Sequence, residues 1–157
     1  MPKVPTKRIK KNSPPPEGYD KIRPTLEKLL EKLKQAQSED DKIKTKNQSL
    51  WKIIQLNFQI TRYVYDMHYS RHLISKELYG WLLLQNYVNS SLIAKWKKQG
   101  YENLCCVQCI LVSDKNHKNP CICRVPKDKL FENNEDPSKI KTLECITCGC
   151  KGCASTD

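Results

Sequence analysis

The chain has little of what usually stabilises a globular protein. Its 157 residues are 38% hydrophobic and include only two phenylalanines and five glycines, whereas roughly 45–50% of a typical soluble domain is apolar. No apolar run approaches the roughly 20 residues that cross a membrane, and no apolar segment follows the basic N-terminus as it would in a secretory signal. We therefore expect no membrane span, one domain with or without a small satellite, and a reducing compartment in which disulfides are rare.

Cysteine is absent from the first two thirds of the chain, and all nine cysteines lie between Cys105 and Cys153. Different interactions must therefore stabilise the two parts. We predict a basic, proline-rich extended tail over 1–18, a helical bundle over 19–100 and a cysteine-rich zinc-cluster domain over 101–157. The predicted fold class is mainly α: a small helical bundle followed by a loop-rich domain that zinc stabilises.

The N-terminal tail combines positive charge with proline. It holds no acidic residue before Glu17, and its prolines fix φ and remove backbone donors, so no helix is expected to start there. A basic cluster of this kind is typical of a nuclear-import signal or a nucleic-acid contact, and equally of a solvated arm. The candidate import residues are Lys7, Arg8, Lys10 and Lys11, and the candidate nucleic-acid contacts in the tail are these four with Lys3.

Apolar residues at helical spacing predict the first two helices. The first covers about 24–37, with Pro24 tolerated in its first turn. The second covers about 48–69, with Asn47 or Ser49 as its N-cap. The residues that keep helical spacing in the second helix are Leu50, Ile53, Ile54, Asn57, Phe58, Tyr65 and Tyr69.

Two shorter helices are predicted to complete the bundle. Ser75 begins the third, and Glu77 in its first turn interacts favourably with the helix dipole. The fourth covers about 91–99 and ends at Gly100, a residue that suits the position after a helix. The buried residues predicted for the third helix and the segment after it are Leu78, Trp81, Leu82, Leu84, Tyr87 and Val88.

Some bundle residues allow a functional interpretation beside a structural one. His68 and His72 have the spacing of metal ligands on a helix, although a structural role explains them better. Aromatic residues could stack on RNA bases, but core packing or a protein-partner groove is the simpler use; they are Tyr63, Tyr65, Tyr69, Tyr79, Trp81 and Tyr87. Basic residues could contact phosphate or form a solvated face, and the candidates are Arg62, Arg71, Lys76, Lys95, Lys97 and Lys98.

The spacing of the cysteines predicts a metal centre. Cysteines one or two residues apart place two thiolates on one tight turn, and Zn²⁺ prefers four such ligands at about 2.3 Å. A redox C-x-x-C pair would need a βαβ context, and a catalytic cysteine would need an orienting base, for which His117 alone is at hand in this part. The odd number of cysteines disfavours disulfides. The predicted ligands are Cys105, Cys106, Cys109, Cys121, Cys123, Cys145, Cys148, Cys150 and Cys153.

Nine thiolates can serve either two or three zinc ions. Two separate sites leave one thiol spare, whereas three bridging and six terminal cysteines fill three tetrahedra, as in the pre-SET segments of lysine methyltransferases. We favour three ions, and His117 could replace a cysteine in a mixed site. Because the protein supplies every ligand, the zinc should be structural and not catalytic. Arg124 and Lys127 are among the basic residues available to offset the negative cluster, and both are also candidate nucleic-acid contacts.

The charge of the chain favours a polyanionic partner. The formal net charge is +11, and binding three Zn²⁺ with loss of nine thiol protons lowers it only to about +8. A strongly basic protein of this kind is suited to nucleic acid.

Three stretches carry a resemblance to a known family. They are the segment LIAKWKKQGYENLCC over 92–106, the segment CICRVPK over 121–127, and the ending over 144–153 with its C-x-x-C-G-C-x-G-C pattern. These resemble the G-ten family of splicing factors, also called the Bud-thirty-one proteins, including its budding-yeast member. The resemblance covers essentially the whole chain. The segment 132–138 looks like an insertion relative to shorter relatives and is expected to be a surface loop.

The resemblance implies a nuclear, zinc-binding component of the spliceosome. Such a protein works beside the catalytic small nuclear RNAs and other splicing proteins, and it is linked indirectly to bud-site selection. No catalysis, no small-molecule substrate and no obvious homo-oligomer are expected. The implied partners are spliceosomal small nuclear RNAs and splicing proteins.

Two alternatives use the same zinc and charge. One is a zinc-dependent adaptor of a ubiquitin ligase. A RING-type domain, however, requires alternating pairs of ligands with histidines at fixed offsets, and the order of cysteines here does not provide them. A DNA-binding transcription cofactor is the other. Such a protein would require a recognition helix beside the zinc, and the sequence over 110–144 shows no clear recognition helix.

Overall fold

The computed structural model describes residues 11–39, 45–111, 119–132, 136, 138 and 143–157. These residues form helices and turns without a strand, which confirms the mainly α class. In the described part of the chain, no helix is long and apolar enough to cross a membrane. The predicted residues that lie outside the described ranges are Lys3, Lys7, Arg8, Lys10 and His117. The α-helices are α1 (Tyr19–Ser38), α2 (Lys46–Tyr65), α3 (Lys76–Leu84), α4 (Ser90–Trp96) and α5 (Lys127–Glu132).

Helix α1 begins five residues before the predicted start. Gly18 has a φ of 91° at its N-terminal boundary, and Pro24 lies inside the helix, not in its first turn as predicted. Proline there removes one helical hydrogen bond, but the earlier start buries Ile22 to 2% exposure and brings Tyr19 edge-on to Trp81 at 5.5 Å. This burial outweighs the lost hydrogen bond. Before α1, the described tail residues 11–18 are not helical.

The predicted cap of α2 is wrong, and the apolar face predicted for it is only partly buried. The N-cap is Thr45, whose hydroxyl accepts a hydrogen bond from the Gln48 amide while the Gln48 side chain accepts from the Thr45 amide, a capping box. Leu50 is 50% exposed. The buried residues of α2 are Leu56, Ile60, Thr61 and Val64. Ile54 and Phe58 of the predicted stripe form a half-buried side that meets the core, whereas the fully buried residues also face α1, against which α2 packs.

The structure confirms Ser75 as the start of α3, where its hydroxyl accepts a hydrogen bond from the Leu78 amide. Leu84 is 43% exposed, so its predicted burial is wrong, because α3 ends at that residue. Asn89 caps α4, which ends at Trp96, three residues earlier than predicted. Gly100 follows with a φ of 88°, in the left-handed region that suits glycine.

The helices and the cysteines share one contiguous buried core. Trp51 of α2 donates its indole N–H to the Ile146 carbonyl at 2.9 Å, and the indole of Trp96 donates to the Leu104 carbonyl at 2.9 Å. Arg62 of α2 donates to the Glu102 carbonyl at 3.0 Å. These bonds connect the helices to segments that flank the cysteines.

Candidate metal centre

The nine thiols gather on one side of the helices. All nine are free cysteines, and seven of them are buried. Neighbouring Sγ atoms lie from 3.0 Å (Cys121 to Cys145) to 3.8 Å (Cys105 to Cys123) apart. Those separations exceed a disulfide bond of about 2.05 Å and approach the edge of a tetrahedron of sulfur ligands with bonds of about 2.3 Å, which is roughly 3.8 Å. The donor set therefore fits Zn²⁺.

The thiols form three overlapping groups of four. Within each group all Sγ atoms lie within 4.8 Å of one another. The groups are Cys105, Cys109, Cys123 and Cys148; Cys105, Cys123, Cys150 and Cys153; and Cys109, Cys121, Cys123 and Cys145. Because Cys105, Cys109 and Cys123 each belong to more than one group, the arrangement is a shared cluster and not a row of separate sites.

Cys106 belongs to none of those groups but completes a ring of close thiols. Its Sγ lies 3.8 Å from that of Cys105 and 3.4 Å from that of Cys109. Cys148 closes the ring, 3.6 Å from Cys109 and 3.5 Å from Cys105. All nine predicted metal ligands are thus in reach of the cluster.

Tight turns present the sulfurs. Cys106 and Cys121 each precede a 3₁₀ turn, over Val107–Ile110 and Ile122–Arg124. At the C-terminus, the Cys145 amide donates to the Cys150 carbonyl at 2.9 Å, and the Cys153 amide donates to the Cys123 carbonyl at 2.8 Å. Backbone pairing between distant cysteine turns therefore sets the positions of the thiols.

Gly149 allows the closest approach between the cysteine turns and α2. Its φ is 69°, and a Cβ placed on it would lie 2.6 Å from the Trp51 ring. Real Cβ atoms do not tolerate such a contact, so both the backbone angle and the space require glycine here. The sequence analysis missed Trp51 as a support for the cluster, because no local pattern connects it to a residue almost a hundred positions later.

Burial and hydrogen bonds between neighbouring thiols raise the pKa of some cysteines and lower that of others. Burial, with a hydrogen bond to Cys145, raises the pKa of Cys121 to about 11. Hydrogen bonds with Cys105 and Cys123 lower the pKa of Cys153 to about 7. So many adjacent thiolates would repel one another without a cation, and a bound metal relieves that repulsion.

Comparisons with known proteins identify the family to which the chain is similar. The family model described as "Pre-mRNA-splicing factor BUD31" matches residues 1–155. The chain belongs to the BUD31 family. It is 44% identical over 160 residues to "Pre-mRNA-splicing factor BUD31" of Saccharomyces cerevisiae, with 100% of both chains covered.

Other relatives agree in length and name. The chain is 46% identical to "Pre-mRNA-splicing factor cwf14" of Schizosaccharomyces pombe, with all of both chains covered. It is 47% identical to "Protein BUD31 homolog" of Danio rerio, covering 98% of this chain and 99% of that one. These names support a role in pre-mRNA splicing, which implies a nuclear function.

Arg124 of this BUD31-family chain points toward the cysteines. Its guanidinium donates to the carbonyls of Cys153 and Gly100, lies 3.5 Å from the Cys153 sulfur, and packs over the Tyr101 ring at 5.2 Å. Those contacts support the expected role in offsetting the cluster's negative charge. Its predicted nucleic-acid contact stays a prediction.

The other predicted nucleic-acid residues in the described ranges lie at or near the surface. Lys11, Lys97, Lys98 and Lys127 are exposed, and Lys95 is half-buried. The Lys97 ammonium lies over the Tyr69 ring at 4.9 Å. Lys127 begins α5 and donates its backbone N–H to the Asp157 carboxylate at 2.9 Å.

The histidines have structural contacts. His68 donates from Nδ1 to the Ile74 carbonyl at 3.2 Å and stacks on Tyr79 with a ring separation of 4.4 Å. His72 has a φ of 51° and is exposed. Among the described residues, every group of potential metal ligands consists of cysteines. The observed contacts therefore favour the structural interpretation of this pair.

Two expectations for residues 110–144 can be compared with the structure. Helix α5 lies in this range, where the sequence showed no clear helix, but its six residues complete fewer than two turns. Glu132, Asp136 and Ser138 of the predicted insertion are exposed. The other residues of that insertion lie outside the described ranges.

Proposed function

We propose that this chain is a non-catalytic component of the spliceosome that acts as a zinc-stabilised scaffold near the catalytic RNA core. It contacts small nuclear RNA and neighbouring splicing proteins in the nucleus and influences bud-site selection indirectly. The observation that carries the proposal is the match to a splicing-factor family over residues 1–155. A formal net charge of +11 supports a polyanionic partner.

The thiol geometry supports three zinc ions. In this arrangement Cys105, Cys109 and Cys123, which belong to several close groups, would be the ligands shared between ions. The six terminal ligands are Cys106 and Cys148 for the first ion, Cys150 and Cys153 for the second, and Cys121 and Cys145 for the third. Each ion then receives four thiolates, and none of the nine is left over.

A centre of this kind has a structural role. Catalytic zinc keeps a coordination position for water or substrate, whereas structural zinc is enclosed by four protein ligands. Bridging and terminal thiolates together would occupy every position. The cluster would then hold the chain in one shape for its partners, in agreement with a scaffold.

The decisive experiment is affinity purification of the tagged chain from nuclear extract, followed by sequencing of the RNA retained. We expect enrichment of spliceosomal small nuclear RNAs over ribosomal and messenger RNA. An eluate without such RNA would contradict the proposal. Ubiquitin-ligase subunits or DNA fragments in that eluate would support the adaptor or DNA-binding alternatives.

A second experiment tests the tail as an import signal. Deleting residues 2–11 removes Lys7, Arg8, Lys10 and Lys11 together. We expect weaker nuclear accumulation of a fluorescent fusion, restored by a heterologous import signal. Unchanged accumulation would show that these residues do not direct import.

A further inference from the structure

The end of α2 departs from regular helical geometry. Asp66–Ser70 form one π-helical turn, and His72, two residues later, has a φ of 51°. Side chains other than glycine rarely adopt such an angle, and π turns in helices occur frequently at functional sites. The irregular turn leaves Tyr69 36% exposed.

One buried ring and two half-buried rings pack against Tyr69. Its ring centroid lies 4.8 Å from Tyr65, 5.6 Å from Tyr79 and 4.7 Å from His68. Tyr79 is only 8% exposed and stacks on His68. Tyr69 is therefore the outer member of a packed aromatic group, and its orientation at the surface is fixed.

Two lysines lie close enough to this ring to act on its phenol, and an arginine follows it in the chain. Lys97 lies over its face, and a hydrogen bond from Lys97 lowers the pKa of the Tyr69 phenol. Lys76 also favours the phenolate electrostatically, and Arg71 is exposed two residues along the chain. Among described residues these three cations form no ion pair. The acidic residues on the same elements are Asp66, which pairs with Arg62 at 3.5 Å, and Glu77 in the first turn of α3.

We propose that the Tyr69 surface, formed by Tyr69, Arg71, Lys76 and Lys97, binds single-stranded RNA by stacking one base on Tyr69 and holding phosphates with the three cations. Lys97 has a long flexible side chain, so its ammonium can leave the ring face to a base and contact a phosphate instead. The inference rests on the proposed function and assigns part of its RNA contact to a defined surface. From the sequence alone, base stacking by Tyr69 and phosphate contact by Arg71, Lys76 and Lys97 were open beside a purely structural role.

The combination of ring and cations favours RNA over an acidic protein segment. Proteins that bind single strands pair a positive surface with aromatic rings, and each stacked base contributes about 1–3 kcal/mol. An acidic peptide would be attracted by the cations but would gain little from the exposed aromatic face. A loss of binding affinity on truncating Tyr69 is therefore expected for RNA and not for an acidic peptide.

The test measures binding of a labelled short oligouridine to the purified, zinc-loaded full chain by fluorescence anisotropy. Tyr69→Ala is expected to weaken binding about 10-fold, whereas Tyr69→Phe retains most of it because stacking needs only the ring. The double variant Arg71→Gln/Lys76→Gln is expected to reduce the dependence of log affinity on log salt by roughly 1.4. Lys28→Gln/Lys34→Gln on the exposed side of α1 is the matched control. Zinc content and far-UV dichroism confirm that each variant is folded.

Several outcomes would overturn the inference. They are absence of oligouridine binding by the unmodified chain, equal binding by Tyr69→Ala, and equal losses in the α1 control. Tighter binding of an oligoglutamate peptide that Tyr69→Ala leaves unchanged and Arg71→Gln/Lys76→Gln weakens would assign the surface to an acidic protein instead. If small nuclear RNAs are still retrieved from nuclear extract in any of these cases, only the location is wrong and the proposed function stands.

Discussion

The two parts of the molecule bury different material. In the helices most of the fully buried side chains are large and apolar, among them Leu26, Ile60 and Leu78. After residue 100, the buried hydrophobic side chains among those described are cysteines, apart from Leu104 and Ala154. Large apolar residues there lie at the surface instead, with Ile146 at 74% and Phe131 at 41% exposure. Metal–thiolate bonds would supply the stability that a part burying sulfur in place of hydrocarbon otherwise lacks.

Removing zinc should produce the largest difference between the two parts. A chelator, or Cys148→Ser, is expected to unfold the cysteine-rich part and leave the helices largely intact, because metal binding is coupled to folding in such sites. Hydrogen exchange resolved by segment measures both parts at once. Lys151→Gln, an exposed change in the same segment, is the control. Full protection after complete loss of zinc would disprove the structural role.

Truncating a side chain of the apolar core should destabilise the helices and leave the cysteine-rich part unaffected. Leu26 is fully buried in α1, so Leu26→Ala is expected to lower the free energy of unfolding of the helices by about 2–5 kcal/mol. Zinc content by mass spectrometry should stay unchanged. Leu73→Ala, at a residue that is 57% exposed, should have little effect. Equal losses in these variants would contradict the assigned core.

The contact between the parts can be tested at a glycine. Gly149→Ala combines an unfavourable φ with a clash against Trp51, whereas Gly100→Ala has a similar φ of 88° with no atom within 4 Å of the new Cβ. The Gly100 variant should lose about 1–2 kcal/mol, and the Gly149 variant clearly more. Chemical denaturation monitored by tryptophan fluorescence measures both. Equal losses would show that Trp51 moves aside freely.

Arg124 tests the electrostatic support of the cluster. Its guanidinium contacts the Cys153 carbonyl and sulfur, so Arg124→Gln is expected to lower zinc affinity about 10-fold. Competition with a chromophoric chelator measures this affinity, and Lys21→Gln, at an exposed residue of α1, serves as the control. If the two variants release zinc alike, the contact does not support the metal centre.

The smallest effect is expected at the start of α2. Thr45→Ala removes the side-chain half of the capping box and should cost about 1 kcal/mol of helix stability without change in zinc content. Thr45→Ser keeps the hydroxyl and is the matched control. A zinc loss in the alanine variant would mean that the cap positions the cluster as well.

Sequence reasoning succeeded where the signal was local. Cysteine spacing identified a set of residues whose thiols the structure brings together, and Ser75 was correctly placed at the start of α3. It failed where the outcome depended on distant partners. Thr45 replaced Asn47 as the cap because the Gln48 side chain completes the box. The inward position of Arg124 depends on Gly100 and Cys153, which no sequence spacing connects to it.

The sharing of thiols also affects how the chain tolerates changes in length. The segments between Cys109 and Cys121, and between Cys123 and Cys145, both start and finish at predicted cluster ligands. Once both ends are fixed, doubling a flexible loop costs only about 0.6 kcal/mol in closure entropy. Insertions between Leu111 and Asn119, or between Glu132 and Leu143, are therefore expected to leave the sulfur framework undisturbed, and these are the positions at which an inserted tag or reporter should be accepted.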